Sequence, residues 1–123
     1  MMETVNERDQ KEKRRSRMTV TSFRRRVYDA LYEVPSGCVT TYGQLAAAIG
    51  CRSARAVGGA LRANPYAPRV PCHRVIAADL TPGGYHGVKS GVQVRCKLRR
   101  LAAEGVEFVN GRLADPSRLY HYG

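Results

Sequence analysis

The run Pro71-Cys72-His73-Arg74 puts a thiol, an imidazole and a guanidinium on consecutive residues. A thiol is a strong nucleophile only as thiolate. A free cysteine has a pKa of about 8.5, so only a few per cent is ionised at pH 7. A base such as His73, and a basic setting from Arg69 and Arg74, would raise that fraction. Neighbouring side chains in an extended segment point to opposite sides. Cys72 and His73 therefore need a local turn, or a bridging water, to communicate. On these residues alone two readings stand: an activated nucleophile, and a buried structural cysteine beside a satisfied histidine. The other cysteines, at 38, 51 and 96, complete no CxxC, which argues against a zinc knuckle or ribbon. They are expected to pack as free thiols.

The elements around that run must position it. Thr19 to Glu33 reads as a helix capped by Thr21 or Ser22, with Phe23, Val27, Ala30 and Leu31 at helical spacing. Val34-Pro35-Ser36-Gly37 stops it, and Cys38-Val39-Thr40 is a short extended piece. Thr41 caps a second helix, Tyr42 to Ile49, which Gly50 ends. Ser53 opens a third, Ala54 to Ala63. Two short helices joined by a tight turn at a glycine have the layout of a helix-turn-helix. The second of the pair is built of very small side chains, with Gly58 and Gly59 in its middle. Each glycine costs about 1 kcal/mol relative to alanine. Close approach to a DNA groove would compensate, and so would tight packing against a neighbouring helix. Arg55 and Arg62 lie seven apart, on one face, within reach of phosphates or bases.

Three prolines in residues 64–71 predict a stiff, extended loop leading into Cys72. Residues 79–91 read as a glycine-rich loop around Tyr85. Val92 to Ala103 reads as a strongly basic helix with Val94, Leu98 and Leu101 inward, ended by Glu104-Gly105-Val106. Phe108 to Gly123 has a strand-like start and a polar tail.

The charge is one-sided. The 123 residues carry 21 Lys+Arg against 10 Asp+Glu, a net of +11. Residues 1–18, a basic tail expected to be disordered, hold only +2 of it. Residues 19–123, expected to be one folded domain, hold +9. A small domain with that excess attracts polyanions, nucleic acid first. A membrane surface would require an amphipathic or lipidated anchor, and no lipidation motif is present. The N-terminus has charges where a secretion signal needs an apolar stretch, and apolar runs are only a few residues long. The chain therefore reads as intracellular, nuclear if eukaryotic and cytoplasmic if prokaryotic.

The segments VPSGCVTTYGQLAAAIG, ARAVGGALRANP, VPCHRVI, GGYHG and LAAEGVEF together resemble the C-terminal domain of the O6-alkylguanine-DNA alkyltransferases over roughly residues 22–110. The resemblance implies a mainly helical, winged-helix or helix-turn-helix-like domain with a small β element. It implies a single-turnover methylated-DNA–protein-cysteine methyltransferase that repairs double-stranded DNA as a monomer. No metal or organic cofactor is implied, because the thiolate is itself the reagent. Carried onto this chain, Cys72 is the acceptor and His73 its base, acting through a water. Glu104 orients the histidine, and Asn64 braces the turn. Arg55 fills the gap left by the flipped nucleotide, and Tyr42 crowds the target phosphate. Tyr85, Val75, Arg74 and His86 surround the guanine. Arg62, Ala56 and Gly59 complete the DNA-facing helix.

This sequence departs from the family pattern in four places. A short tail stands where larger members carry an N-terminal domain, often with a structural zinc. His86 follows Tyr85 where a small residue is usual, residues 87–101 run about five longer, and Arg69 precedes the cysteine. Two other classes compete with transfer. One is an alkyltransferase-like protein that binds the lesion and recruits excision-repair proteins; members of that group lack the cysteine, which Cys72 opposes. The other is a sequence-reading regulator, for which a helix of Ala, Val and Gly offers little to read base edges.

Overall fold

The computed structural model describes residues 21–67, 69–85 and 91–122; the tail 1–18, Thr19, Val20 and His86 lie outside them. The elements run α1 (Ser22–Tyr32), β1 (Thr40–Thr41), α2 (Tyr42–Ala48), α3 (Ala54–Arg62), a 3₁₀ turn (Cys72–Arg74) and β2 (Val75–Ile76). After them come α4 (Val92–Ala103), a hairpin of β3 (Phe108–Val109) and β4 (Arg112–Leu113), and a second 3₁₀ turn (Pro116–Arg118).

Side-chain caps set the helix starts. Thr21 Oγ1 accepts from the Arg24 amide at 3.1 Å, Thr41 Oγ1 from Gln44 at 3.1 Å, and Ser53 Oγ from Ala56 at 3.0 Å. α1 begins at Ser22 with Thr21 as its cap, and the expected start at Thr19 lies outside the described residues. α2 ends in a Schellman motif. Gly50 sits at φ +70°, its N–H reaches Ala47 O, and the Cys51 N–H reaches Ala46 O. α1 packs across both α2 and α3. Val27, Ala30 and Leu31 are buried as expected. Tyr28 is buried with them, and its hydroxyl donates to Ala60 O on α3 at 2.7 Å.

The β structure is slight. β1 and β2 pair in parallel, with Thr40 opposite Val75 and Thr41 opposite Ile76. This pairing ties the start of the helix-turn-helix to the chain just after Cys72–Arg74. β3 and β4 pair antiparallel around Asn110-Gly111, both at positive φ, as a two-residue hairpin turn requires. One apolar core lies among α1, α2, α3 and the Cys72 turn. A second joins Val39, Ile76, Leu101, Val106 and Leu113.

Two expectations are corrected. Residues 64–67 with 69 and 70 are folded back on themselves, not an extended loop. Asn64 Oδ1 accepts from the Tyr66 amide at 2.8 Å and Asn64 Nδ2 donates to Val70 O at 3.0 Å, closing the turn on itself. The C-terminal stretch is not a free polar tail. The Val39 N–H reaches Arg118 O, the Tyr120 N–H reaches Val39 O, and the Tyr122 hydroxyl donates to Ala30 O at 2.9 Å.

Candidate active site

The Asn64 turn delivers the chain to Pro71, and the Cys72 amide bonds back to Val70 O at 2.8 Å. Cys72, His73 and Arg74 then form the 3₁₀ turn, closed by the Arg74 amide on Pro71 O at 2.9 Å. This is the local turn that the cysteine and histidine require. Cys72 and His73 are both buried, at 6% and 3% exposure.

His73 faces the end of α4. That helix terminates in a second Schellman motif, with Gly105 at φ +88° and the Val106 amide on Leu101 O at 2.8 Å. The cap residue of this motif is Glu104. Its Oε2 lies 2.8 Å from His73 Nε2. Arg74 grips the same carboxylate with two bonds of 2.9 Å, Nε to Oε1 and Nη2 to Oε2, and donates a third to Val34 O. Burial pushes the Glu104 carboxyl up, but the bonds from Arg74 and His73 outweigh it and hold the pKa at about 2. Glu104 is therefore an anion and can only accept. Nε2 of His73 must then carry the proton that lies between them, so in the neutral ring the free lone pair is on Nδ1. That Nδ1 is buried and has no hydrogen-bond partner among the described residues. Burial lowers the His73 pKa, against the pull of Glu104, which keeps the ring neutral and basic at pH 7.

Burial also raises the Cys72 pKa, while Asn64, Lys97 and Tyr85 oppose it. The resting group is a protonated thiol that needs a base. Tyr85 is buried, and its pKa is pushed up to about 12 by burial and by Cys72, so it is a phenol that holds its proton. A cavity of about 780 Å³ joins these groups to the surface; Cys72 and Tyr85 line it together with Tyr42, Gly83, Arg55, Gly59 and Arg62. The Tyr42 ring lies against Gly83, where a Cβ would sit 3.4 Å from it. Arg55 and Arg62 are exposed, so the cavity runs from the buried thiol to the open face of α3.

Of the residues singled out in the sequence, Cys72, His73, Glu104, Asn64 and Tyr85 come together, and Tyr42, Arg55, Arg62 and Gly59 share the cavity. Three stand elsewhere. Arg74 is not in the cavity lining, because the 3₁₀ turn rotates it onto Glu104. Val75 is fully buried in the core beneath. Ala56 is exposed and lies on a separate groove between α1 and α3. The sequence reading missed Lys97, which is 0% exposed. The signal was present: Lys97 occupies the i+3 position of the apolar stripe begun by Val94. Among the described residues no three His, Cys, Asp or Glu side chains group to hold a metal ion, and no helix is long and apolar enough to cross a membrane.

Fold and site together define a helix-turn-helix domain built around a buried cysteine with a histidine–glutamate pair behind it. The family model described as 6-O-methylguanine DNA methyltransferase, DNA binding domain, matches residues 22–106, and the chain belongs to that family. It is 43% identical over 86 residues to a methylated-DNA–protein-cysteine methyltransferase of Methanothermobacter thermautotrophicus, covering 70% of this chain and 46% of the relative. The chain thus spans about half the length of that relative. Its structure resembles the O6-methylguanine-DNA methyltransferase of Pyrococcus kodakaraensis KOD1, with TM-score 0.62, 48% identity and coverage of 71% and 48%. It also resembles S. pombe Atl1 bound to damaged DNA containing O6-carboxymethylguanine, with TM-score 0.69, 32% identity and coverage of 81% and 95%.

Proposed function

We propose that this protein repairs duplex DNA by moving an alkyl group from guanine O6 to Cys72, once per molecule. The observation that carries the reading is the buried Cys72 thiol at a surface-connected cavity, adjoining a histidine whose free nitrogen Glu104 defines. The net of +9 on residues 19–123 supports a polyanionic partner.

A base inside the stack cannot reach a buried sulfur, so the nucleotide is flipped into the cavity, at a cost of a few kcal/mol. Arg55 on the open face of α3 fills the gap, and Tyr42 crowds the target phosphate. His73 Nδ1 then takes the thiol proton through a water. The sulfur attacks the alkyl carbon in line, the C–S bond forms and the carbon–O6 bond breaks. The electron pair of the broken bond stays on guanine, which takes a proton from the Tyr85 hydroxyl; the proton on His73 restores the phenol through solvent. The products are S-alkylcysteine and guanine. A thioether is no longer a nucleophile, so each molecule reacts once.

The test is incubation with an oligonucleotide carrying radiolabelled O6-methylguanine, followed by mass spectrometry of the Cys72 peptide. About one methyl per molecule on Cys72 is expected. Label on Cys51 or Cys96, or none at all, overturns the reading. Tight binding to the lesion without label would favour the second reading, a lesion-binding protein that recruits excision repair. The 95% coverage of S. pombe Atl1 is the observation in its favour.

A further inference from the structure

α4 is strongly basic, and its arginines at 95, 99 and 100 are exposed. Lys97 is not. It is 0% exposed, and its Nζ gives a hydrogen bond to each of three backbone carbonyls: Val75 O at 2.7 Å, Pro82 O at 2.5 Å and Gly84 O at 2.9 Å. An ammonium has three protons, so all are used. No carboxylate pairs with it among the described residues. A buried, unpaired cation is costly, and a leucine or methionine would fill this helix position without that cost.

The three carbonyls explain where the cost goes. Val75 directly follows the Cys72–Arg74 turn, while Pro82 and Gly84 flank Gly83 in the cavity wall that leads into Tyr85. Lys97 therefore joins the thiol turn to the opposite wall. Without it, three carbonyl dipoles would converge on an apolar void. The same ammonium is the strongest charge acting on the thiol; burial lowers the Lys97 pKa to about 8, with Cys72 pulling against it, so Lys97 is charged at pH 7. The other titratable groups around Cys72 are His73, whose pKa burial lowers so that it is neutral at pH 7, and the phenols of Tyr28, Tyr42 and Tyr85, all with raised pKa values and so neutral as well.

We infer that Lys97 is a positioning residue for the transfer reaction: it fixes the 82–84 wall and the Tyr85 hydroxyl over Cys72, and its uncompensated charge holds the thiolate that His73 creates. This rests on the alkyl-transfer reading of the site. It assigns two jobs, charge and clamp, that different substitutions separate.

The experiment uses the full chain and Lys97→Met, Lys97→Gln and Lys97→Arg. Three quantities are measured: thermal midpoint, the pH dependence of iodoacetamide alkylation at Cys72 read on its peptide, and methyl transfer from O6-methylguanine DNA. The neutral variants should fold and show a rate–pH curve displaced to higher pH, with alkylation at pH 7 on the order of tenfold slower. Lys97→Arg keeps the charge but has a planar donor set, so its curve should stay with wild type while methyl transfer falls at least about tenfold. Curves that coincide for Gln, Arg and wild type, with unchanged transfer, overturn the assignment. So does failure of both neutral variants to fold, which would make Lys97 a stability residue only. Iodoacetamide does not depend on alkylguanine. A wild-type protein that it alkylates, but that takes no methyl from DNA, removes the transfer reading and with it the positioning role in transfer, while a displaced alkylation curve in the neutral variants still supports the charge effect on the thiol and coincident curves overturn it.

Discussion

The face of α3 and the Cys72 centre are built on opposite plans. The α3 face works by what it lacks. Gly58 and Gly59 sit mid-helix, and a Cβ placed on either meets nothing within 4 Å among the described residues. Tight packing against a neighbouring helix, one of two reasons for glycine there, is thereby removed, and close approach by an outside surface remains. The Cys72 centre works by convergence. The Asn64 turn, the 3₁₀ turn, the 82–85 loop and the C-terminus of α4 each bring one polar group to the same place. A surface defined by empty space depends on single positions and tolerates change gradually. A centre in which each group holds the next should fail steeply.

The steepest expected failure is Cys72→Ala. Transfer should vanish, because no other group supplies the acceptor sulfur, while affinity for duplex DNA stays within about twofold. Residual label on the variant would break the comparison at its core. Glu104→Gln comes next. It removes the anion that holds the proton on Nε2 and so fixes the lone pair on Nδ1, and transfer should drop on the order of a hundredfold, the scale of general-base catalysis. Glu104 also raises the His73 pKa, so in the variant His73 stays neutral to lower pH, and the acid limb of the rate–pH profile moves down. Stability gives an independent readout. The folded Glu104 pKa, about 2, lies below its ordinary 4.5, so its contribution is complete above the unfolded value and is lost as pH falls from about 4.5 through about 2. The thermal midpoint of wild type should fall across that window more than that of Glu104→Gln. Equal slopes would mean that Arg74 finds another partner.

How the sequence foretold these regions follows the same division. The α3 face is local, and spacing alone put Ser53 at its cap, Arg55 and Arg62 on one side and the two glycines between them. The helix boundaries were legible wherever a hydroxyl caps or a glycine ends an element, as at Thr41 and Gly105. The centre depends on contacts between distant segments. The pairing of His73 with Glu104 spans 31 residues, and only the family resemblance indicated it. Arg74 was assigned to the guanine because nothing in an extended reading of PCHRV predicts the 3₁₀ turn that aims it at Glu104. Lys97 was not singled out in the basic helix, since composition cannot distinguish a lysine facing water from one facing three carbonyls. The proline-rich loop misled because the hydrogen bonds of Asn64 override the extended preference of its neighbours.

Arg55 is a residue where the two regions meet, exposed on α3 yet lining, with Arg62, the cavity that holds Cys72. Arg55→Ala should slow repair of duplex DNA by about tenfold or more, since flipping loses part of its compensation. Attack on free O6-benzylguanine, which needs no flipping, should keep its rate. Equal losses on both substrates would move Arg55 from the surface plan to the centre. Arg62→Ala should weaken binding to all duplexes modestly and flatten the dependence of log affinity on log salt by about one phosphate contact, roughly 0.9 in slope.

The smallest effect tests the empty face directly. Gly59→Ala adds one methyl at a helix position where none of the described residues obstructs it. Helix propensity alone should then raise stability by up to about 1 kcal/mol, seen as a higher midpoint in urea. If the glycine is there for an approaching groove, the same methyl intrudes on the partner, and duplex affinity should fall severalfold, the equivalent of about 1 kcal/mol. Alkylation of Cys72 by iodoacetamide should change less than duplex affinity, because Gly59 lines the same cavity but the thiol and its partners lie on other elements. A variant that gains stability while losing only DNA affinity would locate the cost of glycine in binding. A variant that gains stability and keeps its affinity would leave the two glycines without a role, and the contrast between an open face and a convergent centre would then rest on Arg55 and Arg62 alone.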